Sequence, residues 1–232
     1  LITRAAELLR EDSGSKSLGA DIRLQKRIPI GAGLAGGSSD GAAALVGLNI
    51  LWGLNYRFDQ LESLASTLGS DMPFCLKGGT QLSFGRGERL ESLPNQDKAL
   101  AVILVKNPLV SVSTPWAYGQ CKQIYGEQYL TSEVDFEERR QALRDADWLH
   151  SLGDVEIPLI RNDLQRVVEP RVSAVKEALK LLYELPESLA VSMSGSGPSC
   201  FALFPDFECA KRILFKYRSL FESAGLESWC CS

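Results

Sequence analysis

The chain has 232 residues, 45% hydrophobic and 23% charged, a composition typical of a globular protein with one large or two modest domains. Its net charge of -4 disfavours a nucleic-acid-binding or membrane-surface protein, and no apolar run reaches the ~18 residues of a membrane span. The six cysteines form no C-x-x-C pair and His150 is the single histidine, so the sequence predicts reduced thiols and no zinc site.

The first part of the chain predicts mostly helices. Residues 1–10 are amphipathic, and the apolar run after Ser39 is long enough for a buried helix. Asp59 and Glu62 have the spacing of a capping box at the start of a third helix, which ends at Gly69. Short strands are predicted at residues 21–28, 74–76 and 81–84.

The pattern changes after Pro94, where strands and helices alternate. The predicted elements are a strand at 99–105, a helix starting at Thr114 and Pro115, a polar surface insertion at 126–157, a helix at 172–182, strands at 189–193 and 200–204, a helix capped by Asp206 that extends to about Tyr217, and a strand at 226–231. Without the insertion this is the β-α-β-β-α-β order of ferredoxin-like folds. We therefore expect two domains with a boundary near residues 94–98.

The stretch PIGAGLAGGSSDGAAAL begins at Pro29 and places four glycines within seven residues, between a predicted strand and a predicted helix. Such a stretch predicts a phosphate-binding loop, because glycine lets backbone N–H groups at a helix N-terminus approach an anion. A close-packed corner between strand and helix is the alternative. The order G-x-G-x-x-G fits a dinucleotide fingerprint, but no second strand ending in an acid follows, and Gly37 stands where a Walker loop has lysine.

Two further stretches carry groups suited to a reaction. In LGSDMPF, the carboxylate of Asp71 could accept a proton from a substrate hydroxyl, or it could bond its own backbone in a turn. The stretch SMSGSGPS lies between two predicted strands. It forms either a second anion-contacting loop or a plain hairpin turn.

These three stretches, in this order, resemble the motifs of the superfamily of galactokinase, homoserine kinase, mevalonate kinase and phosphomevalonate kinase. The extra glycine in GAGLAGGSSDGAAAL, with LGSDMPFCLKGGT, RNDL and SGSGPSCFALF, is similar to the branch whose substrate is a cytidine-diphosphate-linked methylerythritol. The resemblance implies ATP-dependent phosphorylation of the 2-hydroxyl of that small molecule, in non-mevalonate isoprenoid precursor synthesis. Another kinase of the superfamily, or a truncated non-catalytic nucleotide-binding protein, is the alternative.

The resemblance also implies an α+β fold of two domains. Residues 1–94 would be a ribosomal-protein-S5-like ATP-binding domain that lacks its N-terminal strands, and residues 95–232 a ferredoxin-like substrate-binding domain. Asp71 would be catalytic, and ATP would bind together with Mg²⁺. The resemblance does not identify the protein ligands of Mg²⁺. The implied ATP-binding residues are Pro29, Ile30, Gly31, Ala32, Gly33, Leu34, Ala35, Gly36, Gly37, Ser38 and Ser39, and the implied substrate- or phosphate-binding residues are Ser194, Gly195, Ser196 and Gly197.

The family pattern further includes an upstream strand with a catalytic lysine and an Asp-Gly-aromatic-His segment, which we expect to precede Leu1. Asp40 follows the paired serines where the family often has Asn, so its carboxylate suggests a role with magnesium or in a turn. We expect a monomer or weak homodimer in a bacterial cytoplasm or a plastid stroma, with no nucleic-acid or membrane partner.

Overall fold

The computed structural model describes residues 1–93, 100–145 and 160–232. The chain divides into two compact units, Leu1–Ile30 with Ala35–Asn95 and Gly31–Leu34 with Gln96–Ser232. The predicted boundary at residues 94–98 lies outside the described residues. No helix within the described residues has both the length and the apolar character needed to cross a membrane.

Four helices of the described residues enclose the core of the first unit. They are α1 (Ile2–Asp12), α2 (Gly36–Leu51), α3 (Phe58–Leu68) and α4 (Met72–Lys77). Their apolar faces enclose a core of Ala5, Leu9, Leu45, Leu48, Leu61, Ala65 and Met72. The helices predicted at 1–10, after Ser39 and before Gly69 are confirmed. However, α2 already begins at Gly36, and Ile50 on its outer face is 74% exposed, so this helix is only partly buried.

Two of the predicted strands in this unit are wrong. Residues 74–76 lie in α4, because Pro73 stands in its first turn with a φ suited to a helix. Residues 21–28 form no strand, since no described segment pairs with them and a strand needs partners for its backbone groups. Ile22 and Leu24 in that segment are exposed.

The start of α3 also differs from the prediction. The helix begins at Phe58, and the Oε1 atom of Gln60 accepts a hydrogen bond from the backbone N–H of Arg57 over 2.9 Å. The carboxylate of Asp59 instead binds the guanidinium of Arg57. Asp59 is therefore a first-turn acid and not the capping residue.

The first unit ends in a hairpin. The predicted strand at 81–84 is confirmed as β1 (Gln81–Phe84), which pairs antiparallel with β2 (Arg89–Ser92). Gln81 lies opposite Ser92, and the turn between the strands contains Gly85 and Gly87, both with positive φ.

The second unit is built on a four-stranded antiparallel sheet with helices. Its elements are β3 (Ala101–Lys106), α5 (Thr114–Tyr125), a 3-10 turn (Gly126–Gln128), α6 (Glu133–Asp145), α7 (Gln165–Val168), α8 (Ser173–Tyr183), β4 (Ala190–Met193), β5 (Cys200–Phe204), α9 (Phe207–Ser223) and β6 (Glu227–Cys231). The strand order is β4-β5-β3-β6, with Val105 of β3 opposite Cys200 of β5. The core includes Ile103, Val105, Phe204, Leu179, Leu182, Ile213 and Phe221.

This order confirms the predicted ferredoxin-like arrangement, with α6 and α7 as additions. Asp206 caps α9 as predicted, its Oδ1 accepting a hydrogen bond from Cys209 N over 2.7 Å, but the helix continues to Ser223. At α5 the capping hydroxyl belongs to Ser113 and not to Thr114. Within the predicted insertion α6 is largely exposed, and residues 146–157 lie outside the described residues.

Candidate active site

The predicted site residues are divided between the two units. Pro29, Ile30, Asp71 and the ATP-binding residues from Ala35 onward belong to the first unit. Gly31–Leu34, the tip of the glycine stretch, belongs to the second unit together with residues 194–197.

The glycine stretch presents a continuous run of backbone N–H groups. From Gly31 to Ser38, none of them donates a hydrogen bond within the described residues, and the N–H of Ser39 is the first to do so, to Ala35 O over 2.9 Å. The run contains the first three N–H groups of α2, where the positive end of the helix dipole lies. An arrangement of this kind binds phosphate groups well.

Ala35 marks the start of α2 with an unusual backbone conformation. It is the N-cap residue and has φ 48° and ψ 22°, in the left-handed region that residues with a Cβ rarely adopt. Strain of this kind concentrates at binding sites, where the surrounding structure holds it.

The glycines of the stretch serve different purposes. A Cβ on Gly36 would lie 2.7 Å from Ile28 Cγ2 and 3.0 Å from Lys26 Nζ, so Gly36 allows close packing. Gly37 is exposed, and a Cβ there would meet nothing nearer than Leu1 Cδ1 at 3.6 Å. The stretch is therefore closely packed at Gly36 and leaves an open backbone surface at Gly37.

Lys26 is a residue that the sequence interpretation missed. Its ammonium group forms an ion pair with Asp40, and the two side chains are only 23% and 21% exposed. Asp40 lies in the second turn of α2, where its charge would oppose an anion at the helix N-terminus, and Lys26 compensates that charge. In the sequence Lys26 appears only as a break in the alternation of residues 21–28; the available signal was a lysine just before a glycine stretch that contains an acid.

The tip of the glycine stretch lies against the second glycine-rich loop within the second unit. The hydroxyl of Ser194 donates a hydrogen bond to Gly33 O over 2.8 Å, and Ser199 N donates one to Ala32 O over 3.3 Å. A Cβ on Gly33 would lie 2.4 Å from Ser194 O, so only glycine permits this approach. The two glycine-rich stretches therefore contact each other within the second unit.

Two side chains outside the predicted set hold the second loop. Asn162 Nδ2 donates to Met193 O over 2.7 Å and to Gly195 O over 2.9 Å, while its Oδ1 accepts from Leu164 N and Gln165 N. The Asn162 amide thus binds backbone groups at the start of α7 and backbone carbonyls of the loop. The hydroxyls of Thr114 and Ser196 share a hydrogen bond of 2.7 Å.

Asp71 immediately precedes α4 in the first unit. Its side chain is exposed and makes no hydrogen bond or ion pair within the described residues, so it does not form the backbone contact of a turn aspartate. Its charge acts on Cys75, one turn along the helix: burial, and then the carboxylate of Asp71, raise the pKa of that thiol. The carboxylate is therefore available to accept a proton from another molecule.

The chain matches two sequence families, each over a separate region. Residues 1–79 match the family described as GHMP kinases N terminal domain, and residues 140–223 match GHMP kinases C terminal. A protein of Prochlorococcus marinus (strain MIT 9313) named 4-diphosphocytidyl-2-C-methyl-D-erythritol kinase is 65% identical over 232 residues, which are 100% of this chain and 73% of the relative. A relative of the same name from Synechococcus sp. (strain CC9311) is 60% identical, over 100% of this chain and 75% of its own length.

Solved structures agree with the sequence relatives. A crystal structure of 4-(cytidine 5'-diphospho)-2C-methyl-D-erythritol kinase has a TM-score of 0.74 and 31% identity, over 99% of this chain and 76% of that one. The Methanococcus jannaschii mevalonate kinase has a TM-score of 0.69 at 12% identity, over 99% of this chain and 74% of that one, and shares the fold. On these similarities and on the motifs placed above, the chain belongs to the 4-diphosphocytidyl-2-C-methyl-D-erythritol kinase family of GHMP kinases.

Proposed function

We propose that the chain transfers the γ-phosphoryl group of ATP to the 2-hydroxyl of 4-diphosphocytidyl-2-C-methyl-D-erythritol. The observation that carries the proposal is the 65% identity, over the whole chain, to a kinase named for this compound. The run of N–H groups from Gly31 to Ser38 supports the ATP half of the reaction, because it offers phosphate oxygens donors that no described protein group uses.

In this proposal the phosphates of ATP bind along residues 31–39, between Pro29 and Ile30 on one side and the first turn of α2 on the other. The donors are held in place before ATP binds, by the packing of Gly36 and by the contact of Gly33 with Ser194. Donors fixed in advance stabilise developing charge without reorganising, and phosphoryl transfer depends mainly on such stabilisation and on positioning.

Asp71 acts on the acceptor alcohol. The oxygen of the 2-hydroxyl forms a bond to the γ-phosphorus, the bond from that phosphorus to the bridging oxygen of ADP breaks, and the hydroxyl proton passes to the carboxylate of Asp71. The exposed side chain of Asp71 makes no competing hydrogen bond within the described residues, which suits this role.

We also propose that residues 194–197 contact the substrate or a phosphate group. Ser194 and Ser196 carry hydroxyls, and both are already oriented by hydrogen bonds, to Gly33 O and to Thr114. We extend the proposal to a monomer or weak homodimer in a bacterial cytoplasm or plastid stroma, as the sequence suggests.

Mg²⁺ fits this site as a metal that arrives with ATP. The described residues contain no group of three or more acidic, histidine or cysteine side chains that could hold a metal, and Asp40 is paired with Lys26. Mg²⁺ commonly takes one or two protein oxygens and completes its shell with phosphate oxygens and water. The hydroxyls of Ser38 and Ser39, in the phosphate stretch, are the side chains that would hold it, and the bound ion would neutralise phosphate charge.

A substrate panel tests the proposal. The intact protein is incubated with ATP and with the cytidine-diphosphate substrate, mevalonate or homoserine, and phosphorylated products are measured by mass spectrometry. We expect phosphorylation of the first compound alone. Turnover of mevalonate or homoserine instead would favour another kinase of the superfamily, and ATP binding by calorimetry without any turnover would favour a non-catalytic nucleotide-binding protein.

A further inference from the structure

Lys106, the last residue of β3, is a buried cation that has no acid partner among the residues that the structure describes. Its side chain is 3% exposed, and Nζ donates hydrogen bonds to Asn107 O over 2.9 Å and to Val110 O over 3.2 Å. Glu227 lies opposite it on β6 but is exposed and makes no ion pair with it. Burying a charge with carbonyl partners alone is costly, so the position calls for a physical reason.

The sheet register connects this cation with the tip of the glycine stretch, Gly31–Leu34. The ladder between β3 and β5 ends with Val105 opposite Cys200, and the next position in the same register sets Lys106 against Ser199. Side chains at such a pair share one face of the sheet, with Cβ atoms about 5 Å apart. Ser199 is fully buried, and its backbone N–H donates to Ala32 O over 3.3 Å, which links this position to the tip.

A second route leads from Lys106 to the same tip. The carbonyl of Val110, which accepts from Lys106 Nζ, belongs to the loop of residues 107–113 between β3 and α5. The next residue, Ser111, has its Cβ 3.6 Å from the position that a Cβ on Gly31 would occupy. Lys106 therefore hydrogen-bonds to a loop that lies close to Gly31, while its register partner Ser199 hydrogen-bonds to Ala32.

Ser199 gives a second, independent indication that this polar region takes part in binding. Its hydroxyl oxygen is fully buried and has no hydrogen-bond partner within the described residues. Unpartnered buried hydroxyls are rare and cost stability, and those that persist are concentrated at sites where binding or chemistry requires them.

We propose that Lys106 is a positioning residue for the phosphates of ATP, whose buried ammonium sets a fixed positive charge beneath Gly31–Leu34 and holds the 107–113 loop against that tip. The inference rests on the proposed function, since it takes the anion at the tip to be a nucleotide phosphate. In a water-poor interior the charge of Lys106 is screened less than a charge at the surface. Because the electrostatic interaction is proportional to both charges, its contribution to binding should be largest for the nucleotide with the most phosphate charge.

Three substitutions of Lys106 separate its charge from its hydrogen bonds. Lys106→Gln keeps donors and removes the charge, Lys106→Met removes both, and Lys106→Arg keeps both. Lys180→Gln, on the exposed surface of α8, matches the change in net charge. Dissociation constants for ATP, ADP and AMP are measured by calorimetry on the intact protein, with Tm recorded on the same samples.

We expect the Gln and Met variants to bind ATP about tenfold more weakly, a factor that corresponds to about 1.4 kcal/mol, with a smaller loss for ADP and the smallest for AMP. The Arg variant should keep most of the affinity, and Lys180→Gln all of it. An equal loss for the three nucleotides, or a lower Tm with unchanged affinities, would overturn the inference. So would a loss confined to the KM of the cytidine-diphosphate substrate.

A second pair of variants covers the case in which the Lys106 variants do not fold. Ser199→Asp and Ser199→Asn have the same shape and differ in charge. We expect the Asp variant to bind ATP more weakly than the Asn variant, because its carboxylate cancels the charge of Lys106, and equal affinities would overturn the inference. Absence of ATP binding by the unchanged protein would overturn the proposed function itself, an outcome distinct from an equal loss in the variants.

Discussion

The hydroxyl of Ser194 donates a hydrogen bond of 2.8 Å to the carbonyl of Gly33, although the two residues are 161 positions apart in the chain. Beside it, Ser199 N donates to Ala32 O, so the tip of the first glycine-rich stretch rests on the backbone of the second. The approach is close enough that a single added carbon at Gly33 has no room. The tip is therefore positioned by the second loop as well as by its own sequence.

Replacing Gly33 by alanine should separate the two loops. The new Cβ would lie 2.4 Å from Ser194 O, and φ at this residue is +72°. We expect the substitution to lower the free energy of unfolding of the second unit by about 1–3 kcal/mol, the cost of comparable backbone strain, and to weaken ATP binding. Chemical denaturation and calorimetry measure the two effects.

A matched control for Gly33 is Gly119→Ala in α5. Gly119 belongs to the same unit, and a Cβ there would meet nothing within 4 Å. This variant should be more stable than the original by about 0.5–1 kcal/mol, since alanine favours a helix over glycine. If Gly33→Ala were as stable as the original, the tip would have to be free to move away from the second loop.

Valine at Gly37 tests the phosphate-binding surface without disturbing the fold. Gly37 is exposed at the start of α2, and the protein itself leaves space for a side chain there. We expect Gly37→Val to keep its Tm and to lose ATP binding, because a branched side chain blocks the adjoining N–H groups. Gly36→Val does not give a clean test, since Ile28 lies where its Cβ would be.

The control for Gly37 is Gly47→Val, in the same helix and also exposed with open space around it. Both variants should have similar Tm values, and only the first should lose nucleotide affinity. Unchanged ATP affinity in a folded Gly37→Val protein would remove this residue from the proposed site.

The sequence predicts those parts of the fold that depend on interactions between residues close together in the chain. Asp206 is identified as a cap because the hydrogen bond to Cys209 spans only three residues. The glycine stretch can be recognised because a close approach to the backbone requires glycine, and glycines are visible in the sequence. The three-residue pattern at 74–76 is too short to distinguish strand from helix, and Pro73 decides in favour of the helix.

The features that the sequence does not predict depend on contacts between segments far apart in the chain. Residues 21–28 carry a strand pattern, but a strand forms only where a partner supplies hydrogen bonds. No local pattern indicates that Asn162 holds Gly195, that Thr114 binds Ser196 or that Lys26 pairs with Asp40, because each contact depends on tertiary structure. The glycine-rich loops can thus be recognised from the sequence, whereas the side chains that hold them in place cannot.

The ion pair of Lys26 and Asp40 should affect ATP binding through charge compensation. Lys26→Met leaves the carboxylate of Asp40 uncompensated in the second turn of α2, so ATP affinity should fall. Adding Asp40→Asn removes that charge, and the double variant should recover part of the affinity. Calorimetry on the two single variants and the double variant measures this.

Denaturation of the same three variants measures how much the ion pair contributes to the free energy of unfolding. For two partly buried groups in contact we expect a coupling free energy of about 1 kcal/mol in a double-mutant cycle. Additive losses of ATP affinity, with no recovery in the double variant, would show that Lys26 acts on the nucleotide independently of Asp40.

The rate at which Cys75 is alkylated tests whether the carboxylate of Asp71 lies close to this thiol. Burial is the larger cause of the raised pKa of this thiol, and the carboxylate of Asp71 the smaller. Asp71→Asn removes the second cause, so the pKa of Cys75 should fall but stay above its ordinary value. Because the thiolate is the reactive form, alkylation of Cys75 at a fixed pH near 8 should become faster.

Peptide mass spectrometry after iodoacetamide treatment measures each cysteine separately. Cys200 is an internal control: burial raises its pKa to about 12, so it should stay unmodified in both proteins. An unchanged or slower rate at Cys75 would mean that the carboxylate of Asp71 points away from the thiol.

The last prediction concerns turnover. General-base assistance contributes about 10²–10⁴-fold, so Asp71→Asn in the intact protein should lower kcat by about that factor. The Kd for ATP and the KM for the alcohol substrate should change little, because the amide keeps the shape and loses only proton affinity. Tm should also stay constant, since the side chain makes no hydrogen bond or ion pair within the described residues.

Asp21→Asn, an exposed acid of the same unit, is the control and should leave kcat and Tm unchanged. A structural role for Asp71 predicts the opposite result, a lower Tm with normal kcat in the folded fraction. Measuring both quantities on one preparation separates the two roles. A kcat close to that of the unchanged protein would exclude Asp71 as the base, and the proton would then have to leave through another acceptor or directly to the phosphate.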